Sequence, residues 1–143
     1  ETSLVTGIGA AALFEGVRIV NKDIRIYQAS SSEMFGGGAG NVKLNEKSLF
    51  EPKSPYAASK LYSFHMANIY RDSYGMHISN GILFNHESPR RGENFVSRKI
   101  SLAVANIKKN RQAKLHLGNL EATRDWGHAR DYMRAVRMMV KSE

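Results

Sequence analysis

The 143-residue chain predicts an α/β fold, the second half of a doubly wound parallel sheet. Two observations predict it. Helical and extended segments alternate in the order helix, strand, helix, strand, helix, strand, helix, and such alternation builds a parallel sheet covered on both faces. The expected strands are also short and dense in apolar and β-branched residues, the composition of strands buried on two sides. In open sheets of this kind ligands bind beyond the carboxyl ends of the strands. Those ends are where chemistry is sought.

Each element follows from its own residues. Residues 4–20 predict a helix with Val5, Ile8, Gly9, Ala12, Leu13, Gly16, Val17 and Val20 on its inner stripe. "DIRIYQAS" reads as a buried strand that ends at Ser30. "QASSSEMFGGG" then sets three serines and Glu33 at the strand's end, and glycines at 36, 37, 38 and 40 open a loop that runs to residue 54. Ser54 is placed to cap a helix with Pro55 at its first position. That helix spans about 55–73 and Gly75 ends it. A second strand covers 78–84, followed by the turn-forming "NHESPRRG". Residues 95–109 predict a helix with Val96, Ile100, Ala103, Val104 and Ile107 on one face. "KLHLG" reads as a short strand and "RDWGH" as a loop. The last helix, 128–141, turns Ala129, Tyr132, Met133, Val136, Met139 and Val140 inward, its methionines serving as core filler.

Bulk properties narrow the class. No run of 18 apolar residues is present, so no membrane span is expected. No basic–apolar–small pattern opens the chain, so no signal peptide is read. The chain has no cysteine, which removes disulfides and thiolate metal sites and agrees with a reducing, cytoplasmic setting. The net charge of +8 is uneven: residues 1–88 hold 8 basic and 8 acidic side chains, residues 89–143 hold 13 and 5. The chain divides there, and the second part predicts an anionic partner, either nucleic acid or a small phosphorylated ligand. A solvated basic face gives the same count.

A dinucleotide-binding sheet opens with a strand and a GxGxxG turn. "TGIGAA" is the nearest match, but it lies inside the first predicted helix with no strand before it. The chain therefore reads as a sheet without its first βαβ units.

"YAASK" puts Tyr56 and Lys60 one helical turn apart on one face. An ammonium near a phenol favours the phenolate, so such a pair serves as a general acid/base. By itself the pair also fits an aromatic anchor beside a surface lysine. Joined to hydroxyls at the preceding strand end, it resembles the extended short-chain dehydrogenase/reductase family, in which Ser/Thr, Tyr and Lys stand in this order. Longer stretches, "YQASSSEMFG", "SPYAASKLY", "YRDSYGMHISNGILFNHESPRRGENFVSRKI" and "LGNLEATRDWGHARDYM", resemble the family's GDP-mannose 4,6-dehydratases along essentially the whole chain.

The resemblance implies a set of roles. The fold would be an NAD(P)-binding Rossmann-like sheet, partial over 1–88, with a partial sugar-nucleotide region over 89–143. Ser31 stands where the family has a catalytic Thr. Glu33 matches the acid–base for C5 and C6 of the sugar, Tyr56 the base for the C4 hydroxyl, and Lys60 the residue that tunes Tyr56 and grips the nicotinamide ribose. His86 and Arg91 match NADP contacts. Asn85, Lys99 and Arg124 match positions near the sugar nucleotide, and Ser31 near the substrate oxygen. The implied partners are NADP and GDP-mannose, with a homo-oligomer (dimer or tetramer), no nucleic acid and no membrane. The residues leave other readings: a capped-turn histidine at 86, an exposed arginine pair at 90–91, a packing role or a guanine platform for Trp126. A sugar-nucleotide epimerase and a non-catalytic nucleotide-sugar binder are the competing functions.

Overall fold

A computed structural model of the chain describes residues 1–37 and 43–142. Gly38 and Gly40 of the expected loop lie outside them. The chain forms two compact units, Glu1–Phe84 with Arg134–Glu143, and Asn85–Met133.

The first unit is built on a parallel pair of strands, β1 (Ile26–Ser31) and β2 (Ile78–Leu83), in register from Ile26↔Ile78 to Ser31↔Leu83. The crossover between them contains α2 (Pro55–Tyr74). The helix starts where expected because Ser54 Oγ accepts the Ala57 N–H at 3.0 Å and Pro55 needs no partner for its nitrogen. It stops because Gly75, at φ 66°, takes the left-handed turn and donates its N–H to Arg71 O. Phe14, Ala67, Met76 and Ile78 form the core, with Ala10, Val17, Ile26, Met66 and Tyr70 packed on it.

The first helix departs from expectation. It opens as a π-helix (Ser3–Ile8) and continues as α1 (Gly9–Asn21). The face it buries carries Gly7, Phe14 and Val17, while Val5, Ile8, Leu13 and Val20 of the expected inner stripe are exposed, Val20 by 81%. Apolar residues surround this helix, so hydropathy selects no face. The i→i+5 opening also rotates the downstream stripe, and the bulky Phe14 takes the core. Ser3–Asn21 is long and apolar enough by length and composition alone to cross a membrane, with mean hydropathy 1.5. The expectation of no span rested on an unbroken apolar run, which Glu15 and Arg18 interrupt.

Those two charges clasp α1 to α2. Arg18 donates to both Glu15 carboxylate oxygens, at 2.8 and 2.7 Å, and Tyr70 of α2 donates to Glu15 at 3.1 Å. The Arg18 guanidinium lies 4.9 Å from the Tyr74 ring centroid. At the other edge, Arg25 Nη1 donates to Val140 O and Ser142 O, and Ser79 Oγ to Met139 O, so a cation and a hydroxyl satisfy the last carbonyls of α4 (Ala129–Lys141).

The second unit holds a second parallel pair, β3 (Asn85–Glu87) and β4 (Trp126–His128), in register Asn85↔Trp126, His86↔Gly127, Glu87↔His128. Both segments were expected as turn or loop, and "KLHLG", expected as a strand, has no strand assignment. Leu115 and Leu117 alternate correctly but no strand of the unit pairs with them, whereas "WGH" has β3 beside it. α3 (Val96–Lys108) buries Ala103, while Val96, Val104 and Ile107 of its expected inner face are exposed. A unit this small has little apolar surface to offer a helix. The inner face of α4 is half-buried as expected at Ala129, Tyr132, Val136, Met139 and Val140, but Met133 is exposed.

The hydrogen bonds from Arg18, foremost, and from Tyr70 hold the Glu15 carboxyl at about 2 against an ordinary 4.5. A carboxyl depressed by folding contributes stability that is complete above its unfolded value and is lost as pH falls through its folded one. The wild-type denaturation midpoint should therefore drop between about pH 4.5 and about pH 2 by more than that of Glu15→Gln. Urea titrations of both proteins across this window measure it, and equal slopes would remove Glu15 from the acid response.

Candidate active site

The two serines that end β1 take different tasks. Ser30 points inward and donates to Asn80 Oδ1 at 3.2 Å. Ser31, 8% exposed, accepts the Glu33 N–H at 3.2 Å and so caps a 3₁₀ turn, Ser32–Phe35. Met34 and Phe35 of that turn are buried, and the Phe35 ring packs tilted against Phe50, centroids 4.9 Å apart. With its apolar residues anchored, the turn leaves the Glu33 carboxylate exposed at the carboxyl end of the strand. This is why a carboxylate follows the hydroxyls: one of them fixes the turn that presents it.

The first turns of α2 bring the pair Tyr56 and Lys60 to the same strand end. Lys60 Nζ donates to Ala29 O at 2.8 Å and lies 5.7 Å from the Tyr56 ring centroid. Burial pushes the Lys60 ammonium below its ordinary value. A buried ammonium costs free energy unless acceptors meet it, and the Ala29 carbonyl does so. Tyr56 is 42% exposed, so it is not closed into the core. Ser31, Glu33, Tyr56 and Lys60 thus share one strand end: an acceptor-and-donor hydroxyl, a carboxylate, a phenol and a cation.

The second unit gathers the remaining predicted residues. Asn85 donates its N–H to Asp125 O at 3.1 Å and stands opposite Trp126 in the ladder. Arg124 Nη1 donates to Thr123 O at 2.7 Å and is otherwise exposed. Lys99 Nζ reaches His116 O at 2.8 Å, tying α3 to the segment expected as a strand. His86 lies parallel to the Tyr132 ring, centroids 3.8 Å apart and planes 16° apart.

The arginine pair divides. Arg90 is exposed, whereas Arg91 is held. The Arg91 Nε is 3.5 Å from Glu87 Oε2, its guanidinium is 3.6 Å from the Phe95 ring centroid, and Ser97 Oγ donates to the same Glu87 oxygen. Glu87, Phe95 and Ser97 are therefore the residues that sequence reasoning missed. The available signal was the opposite charge four residues apart in "ESPRR". Trp126, read foremost as a packing residue, is 48% exposed and lines a cavity of about 510 Å³ with Arg98, Ser101 and His128. Among the described residues no group of three or more His, Asp or Glu is placed to hold a metal ion.

A sequence model described as GDP-mannose 4,6 dehydratase matches residues 1–143. The chain is 51% identical to the GDP-mannose 4,6-dehydratase of Sinorhizobium fredii over 99% of its own length and 41% of that protein. It thus spans about two fifths of the length of that relative. Among solved structures it is similar to a dTDP-glucose 4,6-dehydratase of Bacillus anthracis in complex with NAD, with TM-score 0.85, 24% identity, and coverage of 98% of this chain and 43% of that one. It is also similar to the protein RMD of Pseudomonas aeruginosa complexed with NADPH, with TM-score 0.84, 23% identity, and coverage of 94% and 47%. Both likenesses establish the α/β fold with parallel sheets.

The cap at Ser31 gives a direct test of the strand end. Ser31→Ala removes the acceptor for the Glu33 N–H and should cost about 1 kcal/mol of stability. Ser31→Thr keeps an oxygen there and should stay within about 0.5 kcal/mol of the parent. Denaturant titration of the three proteins decides it, and an unchanged midpoint in Ser31→Ala would show that the turn is held without the cap.

Proposed function

The chain belongs to the GDP-mannose 4,6 dehydratase family, and from that premise we propose that the protein containing it converts GDP-mannose to GDP-4-keto-6-deoxymannose with NADP. The observation that carries this reading is the single strand end described above. There Ser31 caps the turn that presents Glu33, and Lys60, beside Tyr56, hydrogen-bonds Ala29 O two residues upstream of Ser31. A 4-epimerase removes no C5 proton and gives Glu33 no task.

We assign residues 1–88 to the cofactor region and 89–143 to the sugar-nucleotide region. Tyr56 takes the proton of the sugar's C4 hydroxyl, with the Lys60 charge beside it favouring the phenolate, and Ser31 holds the substrate oxygen. Glu33 takes the C5 proton and delivers one to the hydroxyl leaving C6, so water departs. A bound nicotinamide would supply the redox chemistry, taking hydride from C4 and returning it to C6, while the proton held by Tyr56 balances the one returned to C5.

The donors present fit that group. Lys60 carries three N–H donors and commits one to Ala29 O, so donors remain for a ribose. Arg91 keeps a buried Nε with no hydrogen-bond partner among the described residues, held beside Phe95 and Glu87, and a guanidinium suits phosphate oxygens. His86 is the third cofactor contact. Asn85, Lys99 and Arg124 take the sugar nucleotide, whose two phosphates account for the basic balance of the second region better than nucleic acid does. The absence of cysteine suits a cytoplasmic enzyme, and a homo-oligomer is the expected assembly.

The whole protein incubated with GDP-mannose and NADP should yield a product lighter by one water. Glu33→Gln should lower the rate about 10²- to 10⁴-fold while GDP-mannose still binds, because an amide of the same shape neither takes nor gives that proton. Tyr56→Phe should abolish the transient near-ultraviolet absorbance of reduced nicotinamide. Mass spectrometry and stopped-flow absorbance read the two steps separately, and a wild-type rate in Glu33→Gln would overturn the role given to the carboxylate.

A further inference from the structure

Tyr132 was expected only as part of the buried face of α4, yet its ring does something more particular. It lies flat on the His86 imidazole, with centroids 3.8 Å apart and planes 16° apart. That geometry needs space on the sheet beside His86, and a residue without a side chain provides it. Gly127 of β4 is the register partner of His86 on β3. A Cβ built on Gly127 would come within 2.5 Å of Tyr132 Cε2, 2.7 Å of its Oη and 2.8 Å of its Cζ. Real Cβ atoms do not approach ring atoms so closely, so any larger residue at 127 drives the ring away.

The tyrosine is also suited to remain neutral. Burial, foremost, and the nearby Asp125 carboxylate push its hydroxyl above the ordinary phenol range. Its ring thus meets the imidazole as an uncharged aromatic surface, and aromatic pairs in face contact favour one relative orientation over others. His86 keeps only two soft side-chain torsions, so a ring laid against one face fixes the plane of the imidazole.

We infer that Tyr132, seated over Gly127, is a positioning residue that sets the orientation in which His86 meets the nicotinamide cofactor. This rests on the reading of His86 as a cofactor contact. Tyr132 touches neither cofactor nor substrate in this role and acts through the imidazole alone. The "DWGHARDY" segment then has a purpose beyond closing a short ladder: its glycine and its tyrosine are two halves of one device.

The test uses the whole protein, with NADPH binding followed by fluorescence and unfolding followed by heat, for Tyr132→Phe, Tyr132→Leu, Gly127→Ala, His86→Ala and the double variant His86→Ala/Tyr132→Leu. Tyr132→Leu and Gly127→Ala should each weaken NADPH binding about two- to tenfold, the range of an aromatic pair. Tyr132→Phe keeps the ring and should stay within about twofold of wild type. The double variant should bind as His86→Ala does, because a residue acting through the imidazole has nothing to act on once it is gone. Losses that simply add, or full affinity in Tyr132→Leu alongside a weakened His86→Ala, would overturn the inference while leaving His86 its role. Undiminished binding in His86→Ala would overturn both the inference and the cofactor role of His86, while the stopped-flow absorbance of Tyr56→Phe shows separately whether the dehydratase reading survives. Should Tyr132→Leu fail to fold, Gly127→Ala and the Phe variant still decide.

Discussion

Everything in the first unit depends on pairing β1 with β2 in parallel. Two parallel strands cannot be joined by a tight turn, because the chain must return to the end where it began. The return is α2, a 20-residue helix about 30 Å long. A helix that carries the chain back to the start of β2 begins above the carboxyl end of β1. Tyr56 and Lys60, in its first two turns, therefore meet the end of β1 whatever else the sequence does. The 2.8 Å bond from Lys60 to Ala29 O is the visible result of that topology.

The register of the ladder is fixed by polar contacts as well as by burial. Gln28 Nε2 donates to Ser63 Oγ beneath α2, Ser30 to Asn80, and Asn80 in turn to Phe64 O and Asn68 Oδ1. Gln28, Ser30 and Ser63 are buried. A slip of one residue would turn these groups to the opposite face and strand them without partners, at about 1–3 kcal/mol each. An apolar layer would hold the helix as well but would specify the register less sharply. Since Ser31 directly follows Ser30, the same network that sets the register also sets which hydroxyl caps the turn before Glu33.

The sequence disclosed these parts unevenly. Both ends of α2 were legible, because Ser54, Pro55 and Gly75 act locally through backbone geometry. The strand end was legible because hydroxyls and a carboxylate stop an apolar run. The buried face of the first helix was not, since hydropathy surrounds it and the π-helical opening shifts its phase. β3 and β4 were missed for another reason. Three residues carry too little pattern, and what makes "NHE" and "WGH" strands is each other. Arg91 was singled out by resemblance alone, and its holders Glu87, Phe95 and Ser97 emerge only from the fold, as does the stack of Tyr132 on His86.

Both ladders also share a use of glycine that composition conceals. In the first, the Tyr27 hydroxyl occupies the place where a Cβ of Gly81 would stand, and burial pushes its pKa upward. In the second, Tyr132 occupies the space over Gly127. A glycine inside a strand weakens it by adding backbone entropy and offering nothing to pack, so its presence calls for a close approach of something else. Here the approaching group is a tyrosine ring laid across the sheet each time. The two rings then part ways. The Tyr27 hydroxyl finds no hydrogen-bond partner among the described residues, so its ring serves as filling. Tyr132 meets an imidazole face to face, and its ring serves as a stop. Glycines at 81 and 127 are thus constraints on volume, and conformational freedom is not what the fold asks of them.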